Sequence, residues 1–399
     1  MRFSSTMNRL ILFVLLALCG LKGDIVVSAE LREVSIGYIE RLEDPLYADT
    51  KGYAGLYTVE HRSPLPAAEL AIADSAATGA AIGVKFTLLR RTLSKEEDPS
   101  AALHALYSQS GIAAAILDLP LEDTLAAALG SATKPLMLFN ARHQEVELRQ
   151  RACRTNLFHT MPSLDMLTDG LAQGLIARNW TRILVLEGET PGDAAFSKSF
   201  QESAKKFGLS IVDVRHFVLG NDPRQRERNN VRLLTGGAHY DVVFIADTTR
   251  EFAPFVPYNT MDPRPVIGSE GLVPLAWHIY WERHGAPQLN RRFAKRTGRP
   301  MTDQDWAVWV AVRAIAEAMV QNRKTPERPL AEALLDPNLT LELYKGFPGS
   351  FRPWNRQLRQ PILLATPNAV VGLTPVEGAL HQFNTLDTLG IDEPQFQCR

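Results

Sequence analysis

Short apolar runs alternate with amphipathic segments along the first part of the chain. Four runs predict buried strands, at residues 34–39, 84–89, 112–117 and 135–139. The neighbouring segments place apolar residues at helical spacing and predict helices at residues 66–77, 99–110 and 121–129. Strands that are apolar on both faces and alternate with helices are typical of a parallel sheet. This part of the chain therefore predicts one α/β layer.

A second series of the same kind begins at residue 157. Ser163 stands at a predicted N-cap, before apolar positions at helical spacing that extend to residue 176. The further predicted elements are strands at 183–186, 210–218, 242–246, 266–268, 351–354 and 362–365, and helices at 196–207 and 223–234. Thr302 and Asp305 have the spacing of a capping box before a long helix with a wide apolar face.

Two series of strand–helix units predict two lobes with a cleft between them. The predicted fold is α/β, with two doubly wound parallel-sheet lobes joined by a three-crossing hinge. We place the crossings near residues 155, 279 and 359. The predicted lobe 1 comprises residues 30–155 and 280–358, and lobe 2 comprises residues 156–279 and 359–399. The helix after Thr302 is expected to return to lobe 1.

The first 29 residues have the pattern of a signal peptide. The apolar run at residues 10–21 is too short to span a bilayer. Val27-Ser28-Ala29 resembles a cleavage site, so we predict export to the periplasm with cleavage after Ala29. An uncleaved membrane anchor and a lipoprotein modified at Cys19 are the alternatives, although Leu18 is large for the position before a lipidated cysteine.

The net charge limits the possible partners, and the cysteine content indicates a disulfide. A formal net charge of −1 argues against nucleic acid or an anionic membrane surface as partner. Once Cys19 is removed with the signal peptide, Cys153 and Cys398 are the remaining cysteines. In an oxidising compartment they predict a disulfide that pins the tail near the hinge; two unpaired thiols are the alternative.

No motif for catalysis, metal binding or cofactor binding is present. The sequence has no CxxC, HExxH or Cys/His cluster, so we predict no metal site. Residues 268–271 (GSEG) lack the spacing of a nucleophile elbow, and no GxGxxG follows the first strand. We therefore expect neither enzymatic activity nor a cofactor, and a secreted hydrolase is the least favoured class.

Polar residues follow several predicted strands, where ligands of open α/β sheets bind. These candidate ligand-binding residues are Glu40, Asp118, Asn140, Arg142, Glu187, Thr190, Asp247, Thr248, Ser269 and Glu270. Each of them has the alternative of capping a helix or solubilising a loop. A cleft rich in acids with a single arginine suits a neutral hydroxylated or cationic ligand better than a simple carboxylate.

Several stretches resemble type 1 periplasmic solute-binding proteins of the leucine/isoleucine/valine-binding class. They are residues 66–83 (PAAELAIADSAATGAAIG), 157–192, 351–355 (FRPWN) and 362–367. Residues 34–49 and 387–399 are more specifically similar to ABC-transporter substrate-binding proteins associated with PQQ-dependent alcohol dehydrogenase systems. This resemblance implies a small solute in the cleft, an ABC permease in the inner membrane as partner, and a link to alcohol oxidation. The alternative is a periplasmic accessory protein that binds a dehydrogenase or its cofactor.

Two turns depart from the pattern of the amino-acid binders in this class. Those proteins hold the ligand carboxylate with a Ser/Thr-rich turn after the third strand, whereas this chain has Asp118 there, followed by Leu119-Pro120. After the fourth strand, Asn140 and Arg142 replace small hydroxyl residues. By its position after a strand of the second lobe, Glu270 corresponds to the acidic residue that pairs with the ligand amino group in those proteins. A free amino acid is therefore disfavoured, because its carboxylate would face Asp118.

Overall fold

The computed structural model describes residues 31–48, 61–219 and 223–398. The predicted signal peptide and its cleavage site at Ala29 lie outside these residues. Within the described ranges, no helix has both the length and the apolar character needed to cross a bilayer.

The first sheet has five parallel strands in the order β2-β1-β3-β4-β5. The strands are β1 Arg32–Arg41, β2 Val84–Leu93, β3 Ala114–Asp118, β4 Met137–Asn140 and β5 Leu157–His159. Helices accompany them at α1 Leu65–Ala81, α2 Pro99–Ser110, α3 Leu121–Gly130 and α4 Glu147–Gln150. The sequence analysis assigns residue 157 to the start of the second series. In the structure, this residue begins β5, which pairs with β4 and forms an edge of the first sheet.

The second sheet has four parallel strands in the order β7-β6-β8-β9. They are β6 Arg182–Glu187, β7 Ser210–His216, β8 Val242–Ala246 and β9 Val266–Gly268, with helices α5 Leu164–Ile176, α6 Pro191–Lys206 and α7 Val231–Thr235. A 3-10 segment at Pro223–Asn229 precedes α7. The helix α6 begins earlier than predicted because Thr190 and Asp193 cap each other's backbone N–H groups.

Antiparallel strands complete the molecule. The strands β10 Val273–Leu275, β14 Ile362–Thr366 and β15 Ala369–Thr374 form one small sheet, which packs on α5. A second small sheet contains β11 Leu341–Glu342, β12 Pro348–Phe351 and β13 Leu358–Arg359. The remaining helices are α8 Ala286–Thr297, α9 Asp303–Gln321 and α10 Leu330–Leu334. The predicted strand at 351–354 thus ends at Phe351, and α8 is an element that the sequence does not predict.

Each lobe has hydrophobic clusters of its own. Trp306 and Ile315 of α9 share a core with Ile36 and Ile116 of the five-stranded sheet, and this half is lobe 1. The four-stranded sheet has its own core around α5 and α6, and this half is lobe 2. The two layered halves confirm the predicted α/β fold class.

Buried side chains tie together the segments that pass between the lobes. Gln357 Nε2 donates to the carbonyls of His159 (3.2 Å) and Met161 (3.1 Å), and Gln360 Nε2 donates to the carbonyl of Thr160 (2.8 Å). These bonds join the end of β5 and the two residues after it to the residues on either side of β13. The lobe boundaries near residues 155, 279 and 359 stay predictions.

The tail is held by a disulfide. Cys153 and Cys398 are bonded, with their Cα atoms 6.4 Å apart, which confirms the pairing predicted from the sequence. The bond fastens the end of the chain beside α4 and β5 of lobe 1.

Candidate functional site

A cavity of about 760 Å³ lies between the lobes. Lobe 1 contributes the loop after β4 and the start of α9, lobe 2 contributes Thr248 and Leu275, and residues 277–279 link the two walls. The lining residues are Leu46, His61, Arg62, Arg142, His143, Gln144, Glu145, Met161, Thr248, Leu275, Trp277, His278, Ile279, Pro300, Met301, Thr302, Asp303 and Gln304. Clefts between domains, mostly apolar with a few polar groups, are typical ligand sites.

Arg142 forms the main ion pair of the cavity wall. Its guanidinium donates to both carboxylate oxygens of Asp44, at 2.6 and 3.1 Å, and lies 3.5 Å from Asp118. Burial alone would raise the pKa of Asp44, but the hydrogen bonds from Arg142 and the N–H of Leu46 outweigh it and lower that pKa. Asp44 is therefore ionised and balances the charge of Arg142.

Asp118 lies behind the cavity wall and has three hydrogen-bond donors. The hydroxyls of Tyr38 (2.8 Å) and Tyr47 (2.6 Å) and the amide of Gln304 (3.0 Å) donate to its carboxylate. Burial raises its pKa, although the bonds from the tyrosines and the charge of Arg142 oppose this effect. Asp118 thus positions Gln304, and its own side chain is 1 % exposed.

Asp303 joins the start of α9 to the crossing segment. Its carboxylate accepts the backbone N–H of Trp277 at 2.7 Å. Burial raises its pKa to about 6, while the nearby ammonium of Lys345 acts in the opposite direction. Lys345 is fully buried, donates to Gln360 Oε1 (2.9 Å), and lies 3.7 Å above the ring of Trp306. These contacts fix the geometry of the cavity floor.

Three imidazoles face the cavity, and burial lowers the pKa of each of them. His143 is held by the carbonyl of Leu119, 2.7 Å from its Nε2. The Nδ1 of His278 accepts the N–H of Tyr280 at 3.2 Å, and no hydrogen bond of its Nε2 occurs within the described ranges. With His61, these rings supply neutral hydrogen-bonding groups at pH 7.

Solved structures of ABC transporter proteins have a similar fold. A branched-chain amino acid ABC transporter periplasmic ligand-binding protein from Burkholderia xenovorans LB400 has a TM-score of 0.67 at 12% identity, over 92% of this chain and 99% of that one. A putative branched-chain amino acid ABC transporter from Rhodospirillum rubrum also gives 0.67, at 14% identity, over 85% of this chain and 100% of that one. The chain shares their fold.

A structure with a bound amino acid is similar as well. The ABC transporter substrate-binding protein from Desulfitobacterium hafniense in complex with Leu has a TM-score of 0.63 at 19% identity, over 85% of this chain and 99% of that one. No protein-family model matches the chain, and no curated protein is similar to it in sequence.

Two of the ten candidate residues, Arg142 and Thr248, line the cavity. Thr248 also donates to Asp193 (2.7 Å), which fixes it against the start of α6. Asp118 reaches the cavity only through Arg142 and Gln304. Glu40, at the end of β1, pairs with Arg90 and accepts the hydroxyl of Thr92 at 2.9 Å.

Other candidate residues stabilise turns. Asn140 Oδ1 accepts the N–H groups of residues 142 and 143, and Asp247 accepts those of Phe252 and Ala253, both at 2.7 Å. Ser269 Oγ accepts the N–H of Asp247 (2.9 Å), and Thr190 caps α6. Thr190 thus has the helix-capping role that was the alternative for these positions, whereas the others accept backbone N–H groups of turns.

The last two candidates, Glu187 and Glu270, lie away from the cavity lining. Glu270 pairs with Arg250 at 2.6 Å, and Glu187 lies 3.7 Å from the imidazole of His216. Sequence reasoning missed most of the lining, including His61, Gln144, Trp277, His278, Met301 and Gln304. Two of these residues could have been found from their place in the sequence, because Trp277 and His278 adjoin the crossing predicted near residue 279.

A second cavity, of about 550 Å³, lies among α4, α5, α6 and the tail. Asp169 there pairs with Lys206 (2.7 Å) and accepts the backbone N–H of Gly390 (2.7 Å). Both carboxylate oxygens of Asp165 are buried without a hydrogen-bond partner in the described part of the chain. Burial, followed by the charge of Asp169, raises the pKa of Asp165 to about 6.

Asp165→Asn is expected to stabilise the protein by about 1–2 kcal/mol at about pH 7.5. The raised pKa means that the folded state binds more protons than the unfolded state between about pH 4 and pH 6, so stability falls as pH rises through this window and stays reduced above it. The gain should vanish at about pH 4. Urea unfolding at both pH values measures it, with the exposed Asp262→Asn as control. A destabilised variant at the higher pH would contradict the expectation.

In the described segments, no group of three or more His, Cys, Asp or Glu side chains is arranged to hold a metal ion.

Proposed function

We propose that this protein is the periplasmic solute-binding component of an ABC transporter. It would hold a small solute between its lobes and present it to a permease in the inner membrane. The observation that supports this most is the cavity of about 760 Å³, lined from both lobes and from the segment between them, in the fold of transporter binding proteins. Closure of two lobes around a ligand is the motion this architecture allows.

The proposed role is non-enzymatic. A general acid or base needs a proton-transferring atom within reach of the substrate. Asp118 is engaged by two tyrosine hydroxyls and Gln304, and His143 by the carbonyl of Leu119. These groups therefore support the shape of the cavity rather than a reaction in it. Among the residues chosen from the sequence, Arg142 and Thr248 stay in the proposed site.

The link to PQQ-dependent alcohol oxidation is the finer part of the proposal. It is supported by the resemblance of residues 34–49 and 387–399 to binding proteins of such systems. Export rests on the signal-peptide pattern of residues 1–29. The accessory role, in which the chain binds a dehydrogenase, predicts a protein partner without solute-dependent closure.

Small-angle scattering on the mature protein tests the proposal. A thermal-shift screen over alcohols, aldehydes, acids, amino acids and quinone cofactors first finds compounds that raise the melting temperature. We expect such a compound to reduce the radius of gyration, and a compound without a thermal shift to leave it unchanged. Binding that leaves the lobes open, or a purified dehydrogenase that binds without any solute effect, would count against the transport role.

A further inference from the structure

We propose that the interlobe cavity selects an uncharged solute, with an apolar body and hydroxyl or carbonyl groups. This inference rests on the proposed solute-binding function and adds the class of ligand. It comes from the way in which the charges of the cavity wall are already paired within the protein.

The cations around the cavity already have interaction partners within the protein. Arg142 binds Asp44 through two hydrogen bonds and lies 3.5 Å from Asp118. The buried Arg149 behind the wall donates to the carbonyl of Glu145 (2.9 Å), and the Glu145 carboxylate acts on its charge. Arg62 also has an interaction partner. A ligand carboxylate would therefore compete with a partner that is already in place.

Two carboxylates at the cavity are likewise engaged. Asp303 accepts the N–H of Trp277, and Asp118 accepts three hydrogen bonds. Drawing Arg142 towards a ligand would leave Asp44, which is 5 % exposed, without its counter-charge. Leaving one member of a buried ion pair alone is strongly unfavourable. A ligand carboxylate would thus compete with Asp44 for Arg142, and a ligand cation would compete with the hydrogen bonds that Asp118 and Asp303 already accept.

Neutral hydrogen-bonding groups do face the cavity. The amide nitrogen of Gln144 reaches Met161 Sδ at 3.8 Å, and no other side-chain bond of Gln144 occurs among the described residues. Among the described residues, neither the Nε2 of His278 nor the ring of His61 has a side-chain hydrogen bond, and both histidines line the cavity. These atoms can accept a hydroxyl proton or donate to a carbonyl. The surrounding apolar surface comes from Leu46, Met161, Leu275, Ile279, Pro300 and Met301.

Matched probes that differ only in charge test this inference. The series is 3-methylbutanol, 3-methylbutanoate and 3-methylbutylammonium, then benzyl alcohol, benzoate and benzylammonium, with leucine and isoleucine as zwitterions. Each probe is measured by titration calorimetry and by thermal shift. We expect an alcohol to bind and the charged members of its set to bind at least about tenfold more weakly. Preferred binding of any charged probe, or no binding by either alcohol, would overturn the inference.

Two variants separate recognition from folding. Gln144→Leu removes an amide that faces the cavity and should weaken alcohol binding about 3- to 10-fold, with little change in melting temperature. Gln201→Leu, on α6 outside the cavity lining, is the matched control and should leave affinity unchanged. Equal affinity in both variants would count against the role of Gln144. A charged compound that closes the lobes in scattering would keep the transport role and remove only the uncharged class.

Discussion

Replacing Asp387 with alanine is expected to lower the free energy of unfolding by about 3–5 kcal/mol. The Asp387 carboxylate is 1 % exposed and accepts hydrogen bonds from the Nε atoms of Arg352 and Arg359, both at 2.8 Å. The Arg352 side chain is equally buried. Burial lowers the pKa of Arg352, and the charge of Asp387 is the largest influence that raises it. The alanine variant leaves this guanidinium in the interior without a counter-charge.

The matched control is Asp213→Ala, which breaks a carboxylate–arginine pair of the same length at the surface. Asp213 lies 2.8 Å from Arg215, and its side chain is 48 % exposed. Exposed pairs contribute about 0–1 kcal/mol, so this variant should be close to the wild type. Urea unfolding of both variants measures the difference. Equal stability of the two would mean that the buried cluster contributes no more than a surface pair.

The elements that the sequence predicts well carry their own start and stop signals. The helix Pro99–Ser110 has the predicted bounds, because Asp98 accepts the N–H groups of residues 100 and 101 and Gly111 ends the helix with a φ of 57°. The strand Val242–Ala246 is an uninterrupted apolar run and also has the predicted bounds. Thr302 and Asp305 form the capping box that their spacing indicates.

The elements that the sequence misses depend on distant partners. The strand β5 has three residues, too few to show a period, and it becomes a strand by pairing with β4. The helix α8 is rich in arginine and lysine. Its Leu289 and Phe293 pack in the lobe 1 core, while Arg292 and Arg296 pair with Asp74 and Glu69 of α1. Neither contact is visible from the local sequence.

The sequence places its candidate site in a cleft between two lobes, and two of the ten candidate residues line the cavity there. Position after a parallel strand identifies which loops surround the cleft, and Arg142 and Thr248 come from such loops. Position does not fix the direction of a side chain. Asp247 and Asn140 turn inwards to accept backbone N–H groups, because buried donors must be satisfied. Trp277 and His278 lie between β10 and α8, outside the ends of the parallel strands, so a rule based on those ends does not cover them.

Cys398→Ser is expected to lower the free energy of unfolding by about 2–4 kcal/mol and to widen the opening between the lobes. The disulfide joins residues 245 positions apart, so its loss frees a long segment in the unfolded chain. The tail is also bound to lobe 2, where Gly390 donates to Asp169 (2.7 Å) and accepts from Lys206 (3.1 Å). With Cys153 on the lobe 1 side, the tail bridges the lobes and limits their separation.

Scattering and urea unfolding of the ligand-free protein separate the two effects. The expected result is a larger radius of gyration for Cys398→Ser than for the wild type, together with the lower stability. The double variant Cys153→Ser, Cys398→Ser should match the single variant, since both lack the same bond, and a reducing agent should alter the wild type alone. Gln150, which accepts the N–H of Gln397 at 3.0 Å, also holds this part of the tail, and Gln150→Ala tests that contact. An unchanged radius in the cysteine variants would show that the hinge bonds of Gln357 and Gln360 set the opening without the tail.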